Sequence, residues 1–276
     1  MGQLDGRVAI VTGSGRGIGQ AIALRLARDG AAIVVNDLDE APARETIALI
    51  EREGGRAVAC NGDVTAKDFG PRIVGTAVEA FGGCHVIVNN AGYTWDSVIQ
   101  KMSDEQWYAI IDVHLTAPFR ILRAFFDYLK PAVEAERRSG TRIVRKVVNI
   151  SSTSGVNGNA GQANYSSGKA GVMGLTRALS KEWGRYDVTV NAVAFGYIQT
   201  RLTTPLQEGE GGTIDVQGRT VKVGIQAGRI SAMNQLIPLG RGGTPEEAAG
   251  AIALLCYPES NYISGELLVC GGGFRI

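Results

Sequence analysis

The sequence has few of the features that mark membrane, disulfide-bonded or nucleic-acid-binding proteins. Its 276 residues include only four cysteines, which lie far apart without a C-x-x-C pair, so it predicts neither a disulfide framework nor a metal site. The formal net charge of +1 gives no general attraction to nucleic acid or to an anionic membrane. No apolar run is long enough for a transmembrane helix, and the first residues have no signal-peptide pattern. We therefore expect a cytoplasmic protein without a metal.

The chain also lacks internal repeats, low-complexity segments and any linker that would divide it. Its length and its hydrophobic content of 45% suit one large α/β domain, which we expect to span residues 1–276. Apolar, β-branched runs predict strands at residues 8–11, 33–36, 57–60, 86–89, 147–150, 188–191 and 267–269. Helical patterns between them cover residues 18–29, 41–53, 69–81, 104–136, 163–186 and 245–255. This alternation predicts a single doubly wound parallel sheet of about seven strands with helices on both faces.

A glycine-rich loop follows the first predicted strand directly. Gly13, Gly17 and Gly19 precede a helical pattern, and this order of strand, loop and helix is typical of a dinucleotide-binding site. The glycines allow a pyrophosphate to approach closely, and the helix N-terminus favours its negative charge. Asp37 ends the second predicted strand, where a carboxylate accepts hydrogen bonds from ribose hydroxyls and repels the extra phosphate of NADP. Capping of the next helix is the alternative role for Asp37.

Tyr165 and Lys169 are four residues apart, so in a helix they lie on the same face. A positive charge near a tyrosine lowers its pKa from about 10, which makes the phenol a better acid or base at neutral pH. Ser152 ends an apolar run upstream, where its hydroxyl can hold a substrate oxygen beside the phenol. Tyrosine and lysine at this spacing are common on helix surfaces, and the glycine-rich loop is what favours the catalytic interpretation.

Together these motifs resemble those of the short-chain dehydrogenases/reductases over essentially the whole chain. The matching positions are Thr12, Gly13, Gly17, Ile18, Gly19, Asp63, Val64, Asn89, Asn90, Ala91, Gly92, Ser152, Tyr165, Lys169, Asn191, Ala192, Gly196 and Thr200. The resemblance implies a Rossmann-type fold and an oxidoreductase that moves hydride between a nicotinamide cofactor and a carbonyl or alcohol. Residues 158–165 are similar to those of 3-oxoacyl-acyl-carrier-protein reductases and 3-hydroxyacyl-CoA dehydrogenase domains, which implies a 3-oxoacyl or 3-hydroxyacyl thioester substrate.

The resemblance also implies a role for each residue. Tyr165 is then the acid/base, Lys169 lowers its pKa and holds the ribose, and Ser152 positions the carbonyl. His114 stands where the family usually has an asparagine, and an imidazole there implies support of a proton relay, with a packed structural histidine as the alternative. The implied cofactor-binding residues are Gly13, Arg16, Gly17, Ile18, Gly19, Asp37, Asp63, Val64, Asn90, Ala91, Gly92, Tyr165, Lys169, Gly196, Ile198 and Thr200.

The cofactor preference depends on two residues with opposite implications. Asp37 favours NAD, whereas relatives with a basic residue at the position of Arg16 often use NADPH. Because Asp37 lies directly at the end of a strand, we predict NAD, with NADP as the alternative. A second departure is Phe195, which occupies the position of a family proline.

Residues 203–241 differ in character from the rest, and the resemblance implies that this insertion forms a substrate lid. Residues 214–223 alternate like a hairpin that turns at Gln217 and Gly218. The candidates for contact with phosphate groups of a CoA or carrier-protein substrate are Arg201, Arg219, Lys222 and Arg229. The basic stretch that ends at Lys146 is interpreted as a solvated helix end.

Two other functions stay open at this point. A steroid, polyol or xenobiotic ketone is the alternative substrate. A catalytically silent nucleotide-binding regulator is the alternative of another class, although the intact Ser152, Tyr165 and Lys169 argue against it. The resemblance further implies a homotetramer in which the helices at 104–136 and 163–186 pair across an interface.

Overall fold

A seven-stranded parallel sheet lies at the centre of the computed structural model, which describes residues 2–206 and 212–274. The strands are β1 (Val8–Val11), β2 (Ala32–Val35), β3 (Arg56–Ala59), β4 (Val86–Asn89), β5 (Arg145–Ser152), β6 (Val188–Phe195), β7 (Pro205–Leu206), β8 (Gly212–Val216), β9 (Arg219–Val223), β10 (Ile225–Gln226) and β11 (Leu267–Cys270). The order across the central sheet is β11-β6-β5-β4-β1-β2-β3, and each neighbouring pair is parallel. The prediction of a doubly wound parallel sheet is confirmed.

Helices cover both faces of this sheet. They are α1 (Gly17–Arg28), α2 (Glu40–Arg52), α3 (Phe69–Phe81), α4 (Asp104–Ile111), α5 (Ala117–Arg138), α6 (Thr153–Asn157), α7 (Ala163–Trp183), α8 (Ala227–Leu236) and α9 (Pro245–Cys256). On one face, buried side chains of α1, α2 and α9 pack on alternate strand residues such as Ala9 and Val11. On the other face, α3 and α5 pack on Val8 and Ile10. No helix within the described residues is both long and apolar enough to cross a bilayer.

The predicted helix at 104–136 is wrong in one respect, because a π-helical turn, Asp112–Thr116, separates α4 from α5. Pro118 has no N–H to donate to the carbonyl of His114, which would be its partner in a regular α-helix. The N–H of Ala117 instead bonds the carbonyl of Asp112, five residues back. Such turns occur often at functional sites, and this one contains His114.

The interpretation of the basic stretch as a solvated helix end is wrong for its last two residues. Arg145 and Lys146 begin β5 and are almost fully buried. Arg145 Nη1 lies 3.0 Å from Glu136 Oε2 in an ion pair, and Lys146 Nζ donates to Ser260 Oγ over 2.9 Å. These partners replace part of the hydration that each charge loses in the interior.

In the described part of the predicted lid range, strands β7 to β10 pair outside the central sheet. Strands β8 and β9 pair as the predicted hairpin, which turns at Gln217 (φ 57°) and Gly218 (φ 79°). Two positive φ angles in a row make a type I′ turn, which matches the twist of the flanking strands. The short strands β7 and β10 pair in parallel, and α8 follows them. The predicted lid range also includes residues 207–211, which lie outside the described residues.

Candidate active site

The residues singled out from the sequence meet in one cleft of about 900 Å³ at the carboxyl edge of the central sheet. This is where the loops after parallel strands converge and where ligands bind in such sheets. The cleft is lined by all of the predicted catalytic and cofactor-binding residues, namely Gly13, Arg16, Gly17, Ile18, Gly19, Asp37, Asp63, Val64, Asn90, Ala91, Gly92, His114, Ser152, Tyr165, Lys169, Gly196, Ile198 and Thr200. Within the described residues, no group of three potential ligands is arranged to hold a metal ion.

The glycine-rich loop after β1 leaves no room for a side chain at Gly13 or Gly19. A Cβ added to Gly13 would lie 2.8 Å from Ala91 Cα, and one added to Gly19 would lie 2.1 Å from Gly13 O. Gly17 starts α1 with φ 56°, and the first turn of α1 has neither a side-chain cap nor an acidic residue. By contrast, α4 and α9 both begin with a complete capping box. The uncapped N–H groups of α1 beside a bare backbone loop fit the pyrophosphate of a dinucleotide.

Asn36 holds this loop in place, which the sequence reasoning missed. Its Oδ1 accepts from Gly13 N over 3.1 Å, while its Nδ2 donates to Cys60 O and Gly62 O over 3.0 and 3.1 Å. The side chain therefore ties together the loops that follow β1, β2 and β3. The signal in the sequence was a polar residue at the end of an apolar strand.

A second set of hydrogen bonds joins the loops after β1 and β4. The Thr12 hydroxyl accepts from Asn90 N and Ala91 N, and Asn90 Nδ2 donates to Thr12 O and Gly13 O over 2.9 and 3.1 Å. Asn90 thus fixes the loop through its side chain. Asn89 Nδ2 donates across strands to Asn149 Oδ1 over 2.8 Å.

Asp37 lies at the tip of β2 with its carboxylate at the cleft. Its Oδ1 accepts from Asp39 N over 3.1 Å, and its side chain is 9% exposed. The N-cap residue of α2 is Asp39, so Asp37 does not have the alternative capping role. Arg16, the cation that would favour NADPH, forms an ion pair with Asp39 over 2.9 Å. Its positive charge therefore already has an acidic partner.

Asp63, in the loop after β3, is already engaged by three hydrogen-bond donors. Thr65 donates its N–H to Oδ1 over 2.8 Å and its hydroxyl to Oδ2 over 2.6 Å, and Gln217 Nε2 donates to Oδ2 over 2.8 Å. Burial raises the pKa of Asp63, but these hydrogen bonds outweigh it and leave the pKa below its usual value. Contact with the turn of the β8–β9 hairpin was not foreseen.

Ser152, Tyr165 and Lys169 converge in the middle of the cleft. Ser152 is the last residue of β5, and Tyr165 and Lys169 lie one turn apart on α7, with Lys169 Nζ 5.6 Å from the centre of the Tyr165 ring. Burial raises the pKa of Tyr165 to about 12, although a hydrogen bond with the Ser152 hydroxyl acts in the opposite direction. The expectation that Lys169 lowers the pKa of Tyr165 below its ordinary value is therefore wrong in this structure. Desolvation of the phenol outweighs any help from the lysine.

The ammonium group of Lys169 is almost completely removed from solvent. Its side chain is 4% exposed, and its Nζ donates to Ile150 O over 2.8 Å. Burial lowers the pKa of Lys169 to about 7. An ammonium has three N–H donors, so two remain for partners such as ribose hydroxyls or water.

His114 lies in the π-helical turn, with its ring perpendicular to that of Tyr165 and the ring centres 5.0 Å apart. Its Nε2 lies 2.7 Å from the carbonyl oxygen of Tyr93, so this nitrogen carries the proton and donates it. Burial and the charge of Lys169 keep the pKa of His114 well below its usual value. Nδ1 is then an unprotonated acceptor, and it is buried without a partner among the described residues.

The opposite wall of the cleft comes from β6 and the segment after it. Phe195 is buried at the family's proline position, and Thr200 starts a short 3₁₀ turn, Arg201–Thr203, through reciprocal hydrogen bonds with Thr203. Among the basic residues considered for phosphate contact, Arg201, Arg219 and Arg229 line the cleft. Lys222 is exposed and lies outside the cleft lining.

Comparison with known proteins agrees with this geometry. A family model described as short chain dehydrogenase matches residues 7–211. The chain belongs to the short-chain dehydrogenase family. This membership confirms the resemblance found in the motifs and makes the chain an oxidoreductase that uses a nicotinamide cofactor.

Several curated relatives align over nearly their full length. The short-chain reductase protein NovJ of Streptomyces niveus is 39% identical, over 96% of this chain and 93% of its own. A 3-oxoacyl-[acyl-carrier-protein] reductase of Vibrio cholerae serotype O1 is 36% identical, over 98% of both chains. A (3R)-3-hydroxyacyl-CoA dehydrogenase of Rattus norvegicus is 36% identical, over 98% of this chain and 97% of its own.

Proposed function

We propose that this protein interconverts 3-oxoacyl and 3-hydroxyacyl thioesters with a nicotinamide cofactor. The observation that carries the proposal is the convergence of Ser152, Tyr165 and Lys169 in the same cleft as the glycine-rich loop. Relatives named as 3-oxoacyl-acyl-carrier-protein reductases and 3-hydroxyacyl-CoA dehydrogenases support the thioester substrate. The apolar part of the cleft supports an acyl chain, because Ile214, Met233, Leu236, Ile237 and Phe274 line it.

The chemistry divides between cofactor and protein. When bound, the nicotinamide supplies or accepts the hydride. Ser152 holds the substrate oxygen, and the Tyr165 phenol donates its proton to that oxygen during reduction. With a pKa of about 12, the phenol stays protonated at neutral pH, which suits a proton donor. In the oxidative direction Tyr165 first loses its proton to the relay, and its phenolate oxygen then accepts the proton of the alcohol.

After reduction, protonated Lys169 returns a proton to Tyr165 and regains one from solvent. A lysine with a pKa of about 7 can gain and lose a proton near neutral pH, and its free N–H groups also suit the ribose hydroxyls. The unpartnered Nδ1 of His114 is a buried hydrogen-bond acceptor in the same region that can hold a water of this relay, which supports the relay over a purely structural histidine.

For the cofactor we propose NAD. The carboxylate of Asp37 lines the cleft at the end of β2, and Arg16 is paired with Asp39. Asp37 therefore repels a 2′-phosphate while the nearest candidate cation is partly neutralised. NADH then has a higher kcat/KM than NADPH, and Asp37→Ala narrows the ratio. A native preference for NADPH would contradict this assignment.

For the assembly we propose a homotetramer in which α4, α5 and α7 pair with their copies. The exposed aromatic residues Tyr108 on α4 and Phe119 on α5 support this, because pairing of these helices with their copies would remove apolar surface from water. Sedimentation analysis of the wild type and of Phe119→Glu tests it. A monomeric wild type, or an unchanged oligomer in the variant, would contradict this interface.

The function is tested with a panel of acyl thioesters of increasing length and of simple ketones, each with NADH and NADPH. We expect thioesters to have the higher kcat/KM, rising with chain length, since each buried Å² of apolar surface is worth about 25 cal/mol. Leu236→Ser should raise KM for long thioesters and leave a short one unchanged. Turnover of ketones alone would favour the steroid, polyol or xenobiotic alternative, and no turnover would favour a binding protein.

A further inference from the structure

The β8–β9 hairpin is attached to both sides of the cleft. At its turn, Gln217 Nε2 donates to Asp63 Oδ2 over 2.8 Å, beside the loop after β3. At the start of β9, Arg219 Nε donates to Glu105 Oε1 over 3.0 Å, and its guanidinium lies 5.8 Å from the centre of the Trp95 ring. On β8, Ile214, Asp215 and Val216 line the cleft together with the glycine-rich loop. The hairpin therefore crosses the cofactor half of the cleft as well as the substrate half.

Buried and exposed side chains alternate along β9, and this alternation shows which face of the hairpin points inward. Val221 is 1% exposed and packs inward, whereas its neighbours Thr220 and Lys222 are exposed. The turn residues Gln217 and Gly218 both have positive φ, so the turn is fixed and directs the Gln217 amide at Asp63.

The Asp63 carboxylate can take one more donor. A carboxylate has about four acceptor positions, two on each oxygen. Among the described residues, Oδ2 accepts from both Thr65 Oγ1 and Gln217 Nε2, while Oδ1 accepts from Thr65 N alone. One position on Oδ1 is therefore open for a ligand N–H without displacing Gln217.

We propose that Gln217 is part of the cofactor site and closes the hairpin over the adenosine end of the bound dinucleotide. The adenine amine takes the open position on Asp63, and Gln217 holds the other oxygen of the same carboxylate. This inference rests on the proposed nicotinamide cofactor and on Asp63, one of the implied cofactor-binding residues, contacting its adenine. It changes the role of the hairpin, which then covers the cofactor and is not a lid for the substrate alone.

The test measures binding of ADP-ribose, which contains the adenosine half of the cofactor, by calorimetry. Gln217→Asn keeps a residue that tolerates positive φ and shortens the side chain by one methylene, so the amide no longer reaches Asp63. We expect its Kd for ADP-ribose to rise about three- to tenfold, as for one lost hydrogen bond to a charged group near the surface. Lys222→Ala, on the exposed face of the same hairpin, should change the Kd by less than about twofold.

Hydrogen exchange gives a second readout that does not depend on activity. ADP-ribose should slow exchange of the amides of residues 212–223 in the wild type, and nicotinamide mononucleotide, which lacks the adenosine, should not. In Gln217→Asn, the ADP-ribose effect should disappear. An unchanged or tighter Kd in Gln217→Asn would overturn the inference, and tighter binding would mean that Gln217 competes with the ligand.

Asp63→Asn separates this inference from the function on which it rests. If that variant binds ADP-ribose as the wild type does, the role assigned to Asp63 fails, and the inference fails with it. If Asp63→Asn weakens binding while Gln217→Asn does not, Asp63 keeps its role and only the part given to Gln217 is wrong.

Discussion

Replacing Lys169 by methionine should make the protein more stable at pH 6 while removing its activity. Methionine is unbranched and close to lysine in shape, so it can occupy the same buried space without the charge. The native pKa of about 7, against 10.5 for a free lysine, means that burying the ammonium costs about 5 kcal/mol below pH 7. The methionine variant also loses the hydrogen bond from Lys169 Nζ to Ile150 O, and this loss lowers its stability by about 1 kcal/mol. We therefore expect a gain of about 4 kcal/mol at pH 6.

The gain should depend on pH with a definite sign. Between about pH 7 and 10.5 the unfolded wild type binds a proton at Lys169 that the folded protein does not, so wild-type stability rises with pH through this window. The methionine variant lacks this contribution and the hydrogen bond to Ile150 O, so its advantage should disappear near about pH 10 and become a deficit of about 1 kcal/mol above about pH 10.5. Urea unfolding of both proteins at pH 6, 8 and 10, at one protein concentration, measures the difference.

Lys146→Met is the matched control, because it makes the same substitution at a second buried lysine. Lys146 is also buried, and burial lowers its pKa to about 8, so its contribution should vary only between about pH 8 and 10.5. Lys146 lies at the start of β5, the end of the strand away from Ser152, so activity should persist. A Lys169→Met variant that is less stable than the wild type at pH 6, or that has the same pH dependence, would refute the reasoning.

Three further outcomes are expected. Tyr165→Phe should lower turnover by about 10²–10⁴-fold while cofactor binding survives in calorimetry; near-normal turnover would remove Tyr165 from the mechanism. Gly92→Ala would put a Cβ 2.1 Å from His114 Cε1, so the ring must shift; we expect turnover to fall about 10²-fold in steady-state assays while the fold survives in circular dichroism. Burial lowers the pKa of His85 to about 4, so stability should be lost as pH falls from about 6.5 to 4, and His85→Asn should flatten this acid side of the urea-unfolding profile.

Sequence patterns were sufficient for the sheet because its strands are short, apolar and separated by helices. The glycine-rich loop, Ser152, Tyr165 and Lys169 were found for a related reason: the chemistry requires fixed residue types at fixed spacings. Local signals also predicted the hairpin, since Gln217 and Gly218 interrupt a clear alternation.

Other features depend on tertiary structure and had no local signal. The raised pKa of Tyr165 comes from burial among residues distant in sequence. Arg145 and Lys146 resemble surface residues until Glu136 and Ser260 are placed beside them. Helix α8 was missed because its residues show little amphipathic pattern, and contact between Gln217 and Asp63 spans 154 positions of the chain.

The Asn36 side chain has a consequence for redesign of the cofactor site. Because it joins the loops after β1, β2 and β3, the glycine-rich loop and the loop that carries Asp63 are held together by one side chain. Under the proposed role of Asp37, a substitution there changes charge at the edge of these joined loops and leaves the Asn36 hydrogen bonds in place, so cofactor preference can be exchanged at little structural cost. Replacing Asn36 would instead loosen both ends of the cofactor site together, and no single compensating substitution would restore three loops.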